Sequence, residues 1–140
     1  MKPLRTSRIV EFGETDMAGI VHFSNFFRYM ESAECAFLRT LGLNVKLEWE
    51  GQQIGFPRVA ATCDYLCPAR FEDVLDVEVT ALRIGQKSVT YGFDFSCKGR
   101  PIAKGKVTSV CCRVLGEHQL ESMEIPTSYR ARLEPYLVGS

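Results

Sequence analysis

The sequence predicts an α+β domain in which one long buried helix near the N-terminus packs against a curved antiparallel sheet. Two observations predict it. Apolar residues recur at helical spacing through Phe26, Phe27, Met30, Ala33, Phe37, Leu38 and Leu41, and beyond Arg58 the chain reads as strands joined by short turns. A single apolar helix followed by a meander of strands buries both apolar faces when the helix becomes the filling of a sheet that wraps it.

The elements follow in order. Leu4 to Phe12 mixes apolar and charged residues ahead of Gly13 and reads as a first strand. The helix starts at Ser24 or Asn25, both good N-caps, and stops at Gly42; Tyr29 and Ala36 widen its apolar stripe. Asn44 to Gln53 is expected to form a short second helix, closed by Gly55 and Pro57. Arg58 to Leu66 reads as a strand, and Pro68 with Glu72-Asp73 marks a turn. Next, Leu75, Val77, Val79 and Ala81 alternate with Asp76, Glu78 and Thr80, the pattern of a half-buried strand. Gly85-Gln86-Lys87 turns the chain into Val89, Tyr91, Phe93, Phe95 and Cys97, and Lys98-Gly99-Arg100-Pro101 turns it again. Ile102 to Leu115 is expected as one further strand, and Thr127 to Tyr136 as a short helix after Pro126. At 140 residues the whole chain, 1–140, fits one domain with a core of its own.

Seventeen basic residues balance seventeen acidic ones without a block of either sign, so the chain carries no electrostatic footprint for nucleic acid or an anionic membrane. A small molecule is the expected partner. Met1 to Arg8 has no apolar run behind it, and no segment approaches the ~20 apolar residues of a spanning helix. A cytoplasmic protein is therefore expected. Of six cysteines, Cys35 falls mid-helix and the adjacent Cys111 and Cys112 are expected to point to opposite faces of a strand, which favours reduced thiols over disulfides. With no Cys-x-x-Cys pair and only His22 and His118, far apart, no metal site is expected.

The stretch Glu14-Thr15-Asp16-Met17-Ala18-Gly19-Ile20-Val21-His22-Phe23 sets a carboxylate and a glycine turn just ahead of the helix. Asp16 could simply close an Asx-turn on its own backbone. It could instead face a cleft at the helix start, where Gly19 allows close backbone approach and free N–H groups around Phe23 to Phe26 can hold a developing oxyanion. A thioester suits such a site, because its thiol leaves as a thiolate with a pKa near ~8.5 and needs little help from a general acid. Asp16 would activate water as a general base, or attack the carbonyl to give a mixed anhydride.

From Arg8-Ile9-Val10-Glu11-Phe12-Gly13-Glu14-Thr15-Asp16 through Gly19-Ile20-Val21 the sequence resembles the entry motif of the 4-hydroxybenzoyl-CoA thioesterase family. The likeness extends through Asn25 and Glu31, Gly55-x-Pro57, the stretch from Asp64 to Leu75, and Lys87-Ser88. The resemblance implies the hotdog fold, a curved antiparallel sheet around one long central helix, and hydrolysis of acyl-CoA or aroyl-CoA thioesters. It matches Asp16 to the catalytic aspartate and the Phe23 backbone N–H to the oxyanion donor, with Gly19 shaping the turn. It also implies a homodimer or homotetramer with the site between subunits, and no cofactor, coenzyme A being part of the substrate. Arg83, Lys87 and Ser88 lie at or near the hairpin that meets the CoA phosphates in relatives, a role that cations and a hydroxyl suit. Arg70 and Arg100 are further candidates of that kind.

Some relatives have a Tyr-His pair where this chain has His22-Phe23, so His22 is a candidate to line the acyl pocket, as are Phe26 and Glu31. The aromatic residues Phe23, Phe26, Phe27 and Tyr29 suit a bulky or aromatic acyl group as well as simple packing. Glu34 falls on the apolar face of the helix, where a carboxylate is costly unless paired. Two rivals stand beside hydrolysis. A hotdog hydratase or dehydratase would use His22 with Glu31 or Glu34 for proton transfer. A non-catalytic protein would enclose an apolar ligand among Tyr65, Phe71, Tyr91, Phe93 and Phe95.

Overall fold

A computed structural model describes residues 3–139. Strands β1 (Leu4–Ile9), β4 (Arg58–Tyr65), β5 (Val74–Ile84), β6 (Ser88–Cys97) and β7 (Arg100–Val110) form an antiparallel sheet in the order β1-β5-β6-β7-β4. Helix α1 (Asn25–Thr40) touches β1 and β4, the two edges, as well as β5 and β7, so the sheet must curve around it. This is the hotdog arrangement. Met30, Phe37 and Leu38 of α1 pack into one core with Leu75, Val77 and Val79 of β5, Phe93 and Phe95 of β6, and Val107 of β7. The alternation of β5 places Leu75, Val77, Val79 and Ala81 inward, as its period-2 pattern predicts. Gly105 is where α1 comes closest to the sheet: a Cβ there would stand 2.2 Å from the Met30 Sδ.

A second sheet, in the order β2-β3-β8-β9, joins β2 (Lys46–Trp49) and β3 (Gln52–Gly55) to β8 (Cys112–Gly116) and β9 (Gln119–Ser122). It corrects two expectations. The helix expected over Asn44 to Gln53 is the β2–β3 hairpin, turned by Glu50 (φ 51°) and Gly51 (φ 80°), the paired left-handed residues of a tight two-residue turn. Trp49 fixes it from outside, donating from Nε1 to the Ser128 hydroxyl (3.0 Å) and packing edge-on against Tyr129 of helix α2 (Thr127–Leu133).

The single strand expected over Ile102 to Leu115 breaks at Cys111. There the backbone N–H donates to the Lys87 carbonyl (2.6 Å) and the carbonyl accepts from Met123 (2.9 Å), so the chain leaves the large sheet for the small one. Consequently Cys111 and Cys112, expected on opposite faces, are both buried, and burial lifts the Cys111 thiol to about 11. All six cysteines are unpaired.

The first strand ends at Ile9, and Phe12–Glu14 forms a 3-10 turn. Ser24 does precede α1, but its backbone is already helical and its hydroxyl meets the His22 Nδ1 (2.7 Å) rather than capping the helix. The terminal helix forms as α2 and continues as a 3-10 turn over Glu134–Tyr136. Among the described residues no helix is long and apolar enough to cross a membrane, and no group of His, Cys, Asp and Glu is placed to hold a metal ion.

Candidate active site

Asp16 sits in the loop between the 3-10 turn and α1, closed into a ring by its own backbone. The Asp16 N–H donates to the Ile20 carbonyl (2.8 Å), and the Gly19 N–H donates to the Asp16 carbonyl (2.9 Å). Gly19 makes this closure possible at φ 78°, a conformation that a Cβ penalises. The Asp16 side chain joins the turn through one oxygen only. Its Oδ1 accepts from the Ala18 N–H (2.8 Å) and, more weakly, the Ile20 N–H (3.4 Å), whereas Oδ2 accepts no hydrogen bond among the described residues. Asp16 thus closes an Asx-turn and keeps a free carboxylate oxygen.

Asp16 lines a cleft of about 400 Å³. Ile20, Val21, Phe23 and Phe26 form the side toward the helix start, and Tyr65 to Ala69, from the end of β4 and the connection to β5, form the other. The walls are mainly apolar. Phe23 and Phe26 each meet the Tyr65 ring edge-on, with centroids 6.4 and 5.6 Å apart. The Tyr65 hydroxyl donates to the Phe23 carbonyl (3.0 Å), while the Val21 N–H donates to the Ala69 carbonyl (2.8 Å), locking the two walls together.

The peptide donors at the helix start are used unevenly. The His22 N–H donates to the Glu14 carbonyl (2.9 Å), the Ser24 N–H to the His22 Nδ1 (3.3 Å) and the Asn25 N–H to the His22 carbonyl (2.9 Å). Among the described residues the Phe23 N–H has no acceptor, which leaves it a free donor at a residue that lines the Asp16 cleft.

The other residues singled out in the sequence divide by place. Phe26 is buried and lines the cleft; His22 is exposed, stacked on the Phe23 ring and bonded to Ser24, outside the cleft lining. Glu31 is exposed on α1, and Glu34 is buried and paired with Arg58 at the start of β4. Burial holds the Glu34 carboxyl above the usual range, although the Arg58 guanidinium pulls it back. Arg83, Lys87 and Ser88 gather at the β5–β6 hairpin. That hairpin lies at the far end of β5 from the Asp16 loop, an 11-residue strand spanning roughly 33 Å. Arg70 and Arg100 lie at the Asp16 end, Arg70 bridging to Ile20 and Arg100 beside Asp73.

Sequence reasoning placed Tyr65 to Ala69 within the stretch that carries the family resemblance, with Tyr65 as an aromatic residue of a rival pocket and Pro68 as a turn, but gave none of them a place in the Asp16 site. Their signal was the strand end followed by Pro68, which identifies a connection but not what it faces.

Comparison with known proteins now decides the family. The sequence model of the thioesterase-like superfamily matches residues 10–133. The chain belongs to that superfamily. Within it, the chain is similar to a 1,4-dihydroxy-2-naphthoyl-CoA hydrolase of Synechococcus sp. (strain RCC307), 30% identical over 106 residues that cover 73% of this chain and 81% of the relative. Among solved structures, a gentisyl-coenzyme A thioesterase superposes with a TM-score of 0.80 at 32% identity, over 93% of this chain and 99% of that one. The 4-hydroxybenzoyl-CoA thioesterase solved with 4-hydroxybenzoyl-CoA shares the fold, with a TM-score of 0.82 at 20% identity over 95% and 99% of the two chains. The superfamily assignment and the hotdog sheet agree on one architecture.

Proposed function

We propose that this member of the thioesterase-like superfamily hydrolyses aroyl-CoA or acyl-CoA thioesters, with aroyl-CoA esters as the preferred class. One observation carries the assignment of residues: Asp16 and Phe23 line the same apolar cleft, and among the described residues Asp16 spends only Oδ1 on its own loop while the Phe23 N–H has no acceptor. The Asp16 Oδ2 delivers the attack on the thioester carbonyl, either directly or by taking a proton from water. The Phe23 N–H, at the start of α1, receives the oxyanion, and coenzyme A leaves as its thiolate. The aromatic edges of Phe23, Phe26 and Tyr65 suit a flat acyl group, and the similar proteins named above act on aromatic CoA esters.

The phosphate-binding role of Arg83, Lys87 and Ser88 needs a second copy of the chain, because in one chain their hairpin is roughly 33 Å from the Asp16 end. Strand β4 offers the place. It is the sheet edge, its eight residues are mostly exposed, and an edge with free backbone groups pairs readily with its own copy. Antiparallel pairing over its full length sets the Arg58 end of one chain, the end that carries the hairpin, against the Tyr65 end of the other. We therefore assign a homodimer with two shared sites, no cofactor, and a cytoplasmic setting in which the six thiols stay reduced. A dehydratase is disfavoured: His22 faces solvent and Ser24, Glu31 is exposed, and Glu34 is held by Arg58.

The test is thiol release from aroyl-CoA, short-chain and long-chain acyl-CoA esters by wild type and Asp16→Asn, with and without a chelator. We expect fastest release from an aroyl ester, no effect of the chelator, and a loss of at least ~10²-fold in the variant. Single turnover in isotopically labelled water tests for the anhydride, since label in Asp16 arises only when Asp16 has attacked directly and water then adds to its own carbonyl. Equal release by both proteins would remove Asp16 from the mechanism.

A further inference from the structure

The two groups that the proposed chemistry needs, the Asp16 carboxylate and the Phe23 N–H, stand on opposite limbs of one loop. Backbone pairing of Asp16 with Ile20 and of Thr15 with Val21 joins the limbs near the tip, and Glu14 joins them at the base. Glu14 lies two residues before Asp16 on the entry limb. Its carbonyl accepts from the His22 N–H (2.9 Å), immediately before Phe23 on the exit limb, and from the Asn25 Nδ2 (2.8 Å) in the first turn of α1. The Glu14 peptide is therefore the crosspiece between the base and the oxyanion donor.

The Glu14 side chain fixes that crosspiece to the scaffold. Its Oε1 accepts from the Tyr29 hydroxyl (2.9 Å) and the Glu11 N–H (2.8 Å), and its Oε2 accepts from the Arg8 Nη2 (2.8 Å). The Arg8 guanidinium lies 4.3 Å from the Tyr29 ring centroid, so the two donors also brace one another. Both charged side chains are largely covered, 28% exposed for Arg8 and 20% for Glu14, which strengthens their hydrogen bonds relative to a surface pair. Burial and the neighbouring Glu14 raise the Tyr29 hydroxyl well above its usual range, so it remains a donor at any pH the enzyme meets. With three donors in place, the Glu14 carboxylate has no reason to act as the base itself.

We propose that Glu14, clamped between Arg8 of β1 and Tyr29 of α1, is the positioning residue of this site, holding Asp16 and the Phe23 N–H at a fixed separation. The proposal rests on the Asp16-centred reading above and adds what makes that geometry rigid. Without the clamp the limbs stay joined by their backbone bonds but lose the ties of the Glu14 carboxylate to β1 and α1, and a displacement of about 1 Å can cost on the order of 10²-fold in rate while substrate still binds.

The experiment measures kcat and KM with the best aroyl-CoA ester for wild type, Glu14→Gln, Glu14→Ala, Tyr29→Phe and Asp16→Asn, together with thermal unfolding. Leu133→Ala serves as a variant of lowered stability remote from the loop. We expect kcat to fall about 3–10-fold in Glu14→Gln and Tyr29→Phe and about 10²-fold in Glu14→Ala, with KM within about 2-fold of wild type. The glutamine partly rescues because it can still accept from Tyr29. The inflections of the pH–rate profile should stay where they are in Glu14→Gln, since that residue does not carry the proton. Should Glu14→Ala fail to fold, Glu14→Gln and Tyr29→Phe decide the matter. Unchanged kcat in these two, beside an inactive Asp16→Asn, overturns the positioning role and leaves the Asp16 reading intact. Loss of the acidic inflection in Glu14→Gln also overturns it, by making Glu14 the base. Full activity in Asp16→Asn overturns both.

Discussion

Asp16 shows how a three-atom carboxylate can serve structure and chemistry at once. Oδ1 takes the two loop N–H groups that fix the side chain's direction, and fixing one oxygen aims the other. The turn works only because Gly19 accepts φ 78°, and space is not the issue there, since a Cβ at Gly19 would meet nothing within 4 Å. The cost of replacing Gly19 is therefore conformational, about 1–2 kcal/mol for an ordinary residue and less for Asn, which visits this region more readily. Gly19→Ala is expected to lower both unfolding stability and kcat, and Gly19→Asn to retain more of each. Equal losses in the two variants, by urea unfolding and thiol release, would show that backbone conformation at Gly19 does not set the loop. The residue types at Asp16 and Gly19 were legible in the sequence. The separate fates of Oδ1 and Oδ2 were not, because a sequence gives a carboxylate but not the direction in which its turn points it.

At the level of elements, α1 and β4 are tied through Glu34 and Arg58, an ion pair that joins the central helix to the start of the sheet's edge strand. Helical spacing put Glu34 on the apolar face, where a carboxylate must be paired or sit at a boundary, but which of these holds was not legible, since its partner lies 24 residues on and only folding brings Arg58 over it. Glu34 is nine-tenths or more buried, and its carboxyl is raised above the ordinary carboxylate value by that burial. For an acid raised on folding, the native state holds the proton longer than the unfolded chain. The associated stability is complete below the unfolded value and is lost as pH rises through the folded one. Urea unfolding across about pH 4 to pH 7 should show wild type losing stability relative to Glu34→Gln as pH rises. A parallel course for the two proteins would contradict the raised carboxyl. Arg58→Ala should cost about 2–3 kcal/mol, because it strands a buried carboxylate, with a discount for the partial exposure of Arg58. The hairpin β2–β3 teaches the complementary lesson. Leu47 and Trp49 alternate with Lys46 and Glu48 as a strand should, but four residues are too few for period to outweigh propensity, and what settles them is the pairing with β3 and the Trp49 contact with α2.

For the whole molecule, the isolated chain exposes more than a compact monomer should. Its 8082 Å² of accessible surface is about a tenth above the ~7,300 Å² expected for 15.8 kDa. Val59, Tyr65 and Leu66, on or just past β4, are among its exposed large apolar side chains. In the proposed dimer a second copy on β4 would cover them and bring a hairpin with Arg83, Lys87 and Ser88 toward each Asp16 cleft. In a two-fold antiparallel pair of the eight-residue β4, Ala61 lies beside the axis, opposite Thr62 of the copy, so Ala61→Lys puts two lysines in the middle of the seam, where edge lysines oppose strand pairing. Sedimentation velocity should show wild type as a dimer or larger and Ala61→Lys shifted toward monomer, with KM for the CoA ester raised as the partner's cations are lost. A wild-type monomer with full activity would refute the shared site.

The sequence by itself determined the layers and the chemistry on offer. The helical period from Phe26 to Leu41, the alternation from Leu75 to Cys97 and the Asp16–Gly19 turn are local patterns, each written within one segment by the geometry of a helix, a strand or a tight turn. Tertiary structure alone decided the rest. Residues far apart in sequence form the second wall of the cleft from Tyr65 to Ala69 and the Arg8–Glu14–Tyr29 clamp. It also breaks the chain at Cys111, where the N–H donates to the Lys87 carbonyl and the carbonyl accepts from the Met123 N–H, redirecting the strand. Such contacts depend on which backbone groups the completed sheet leaves unpaired, and no local period records that.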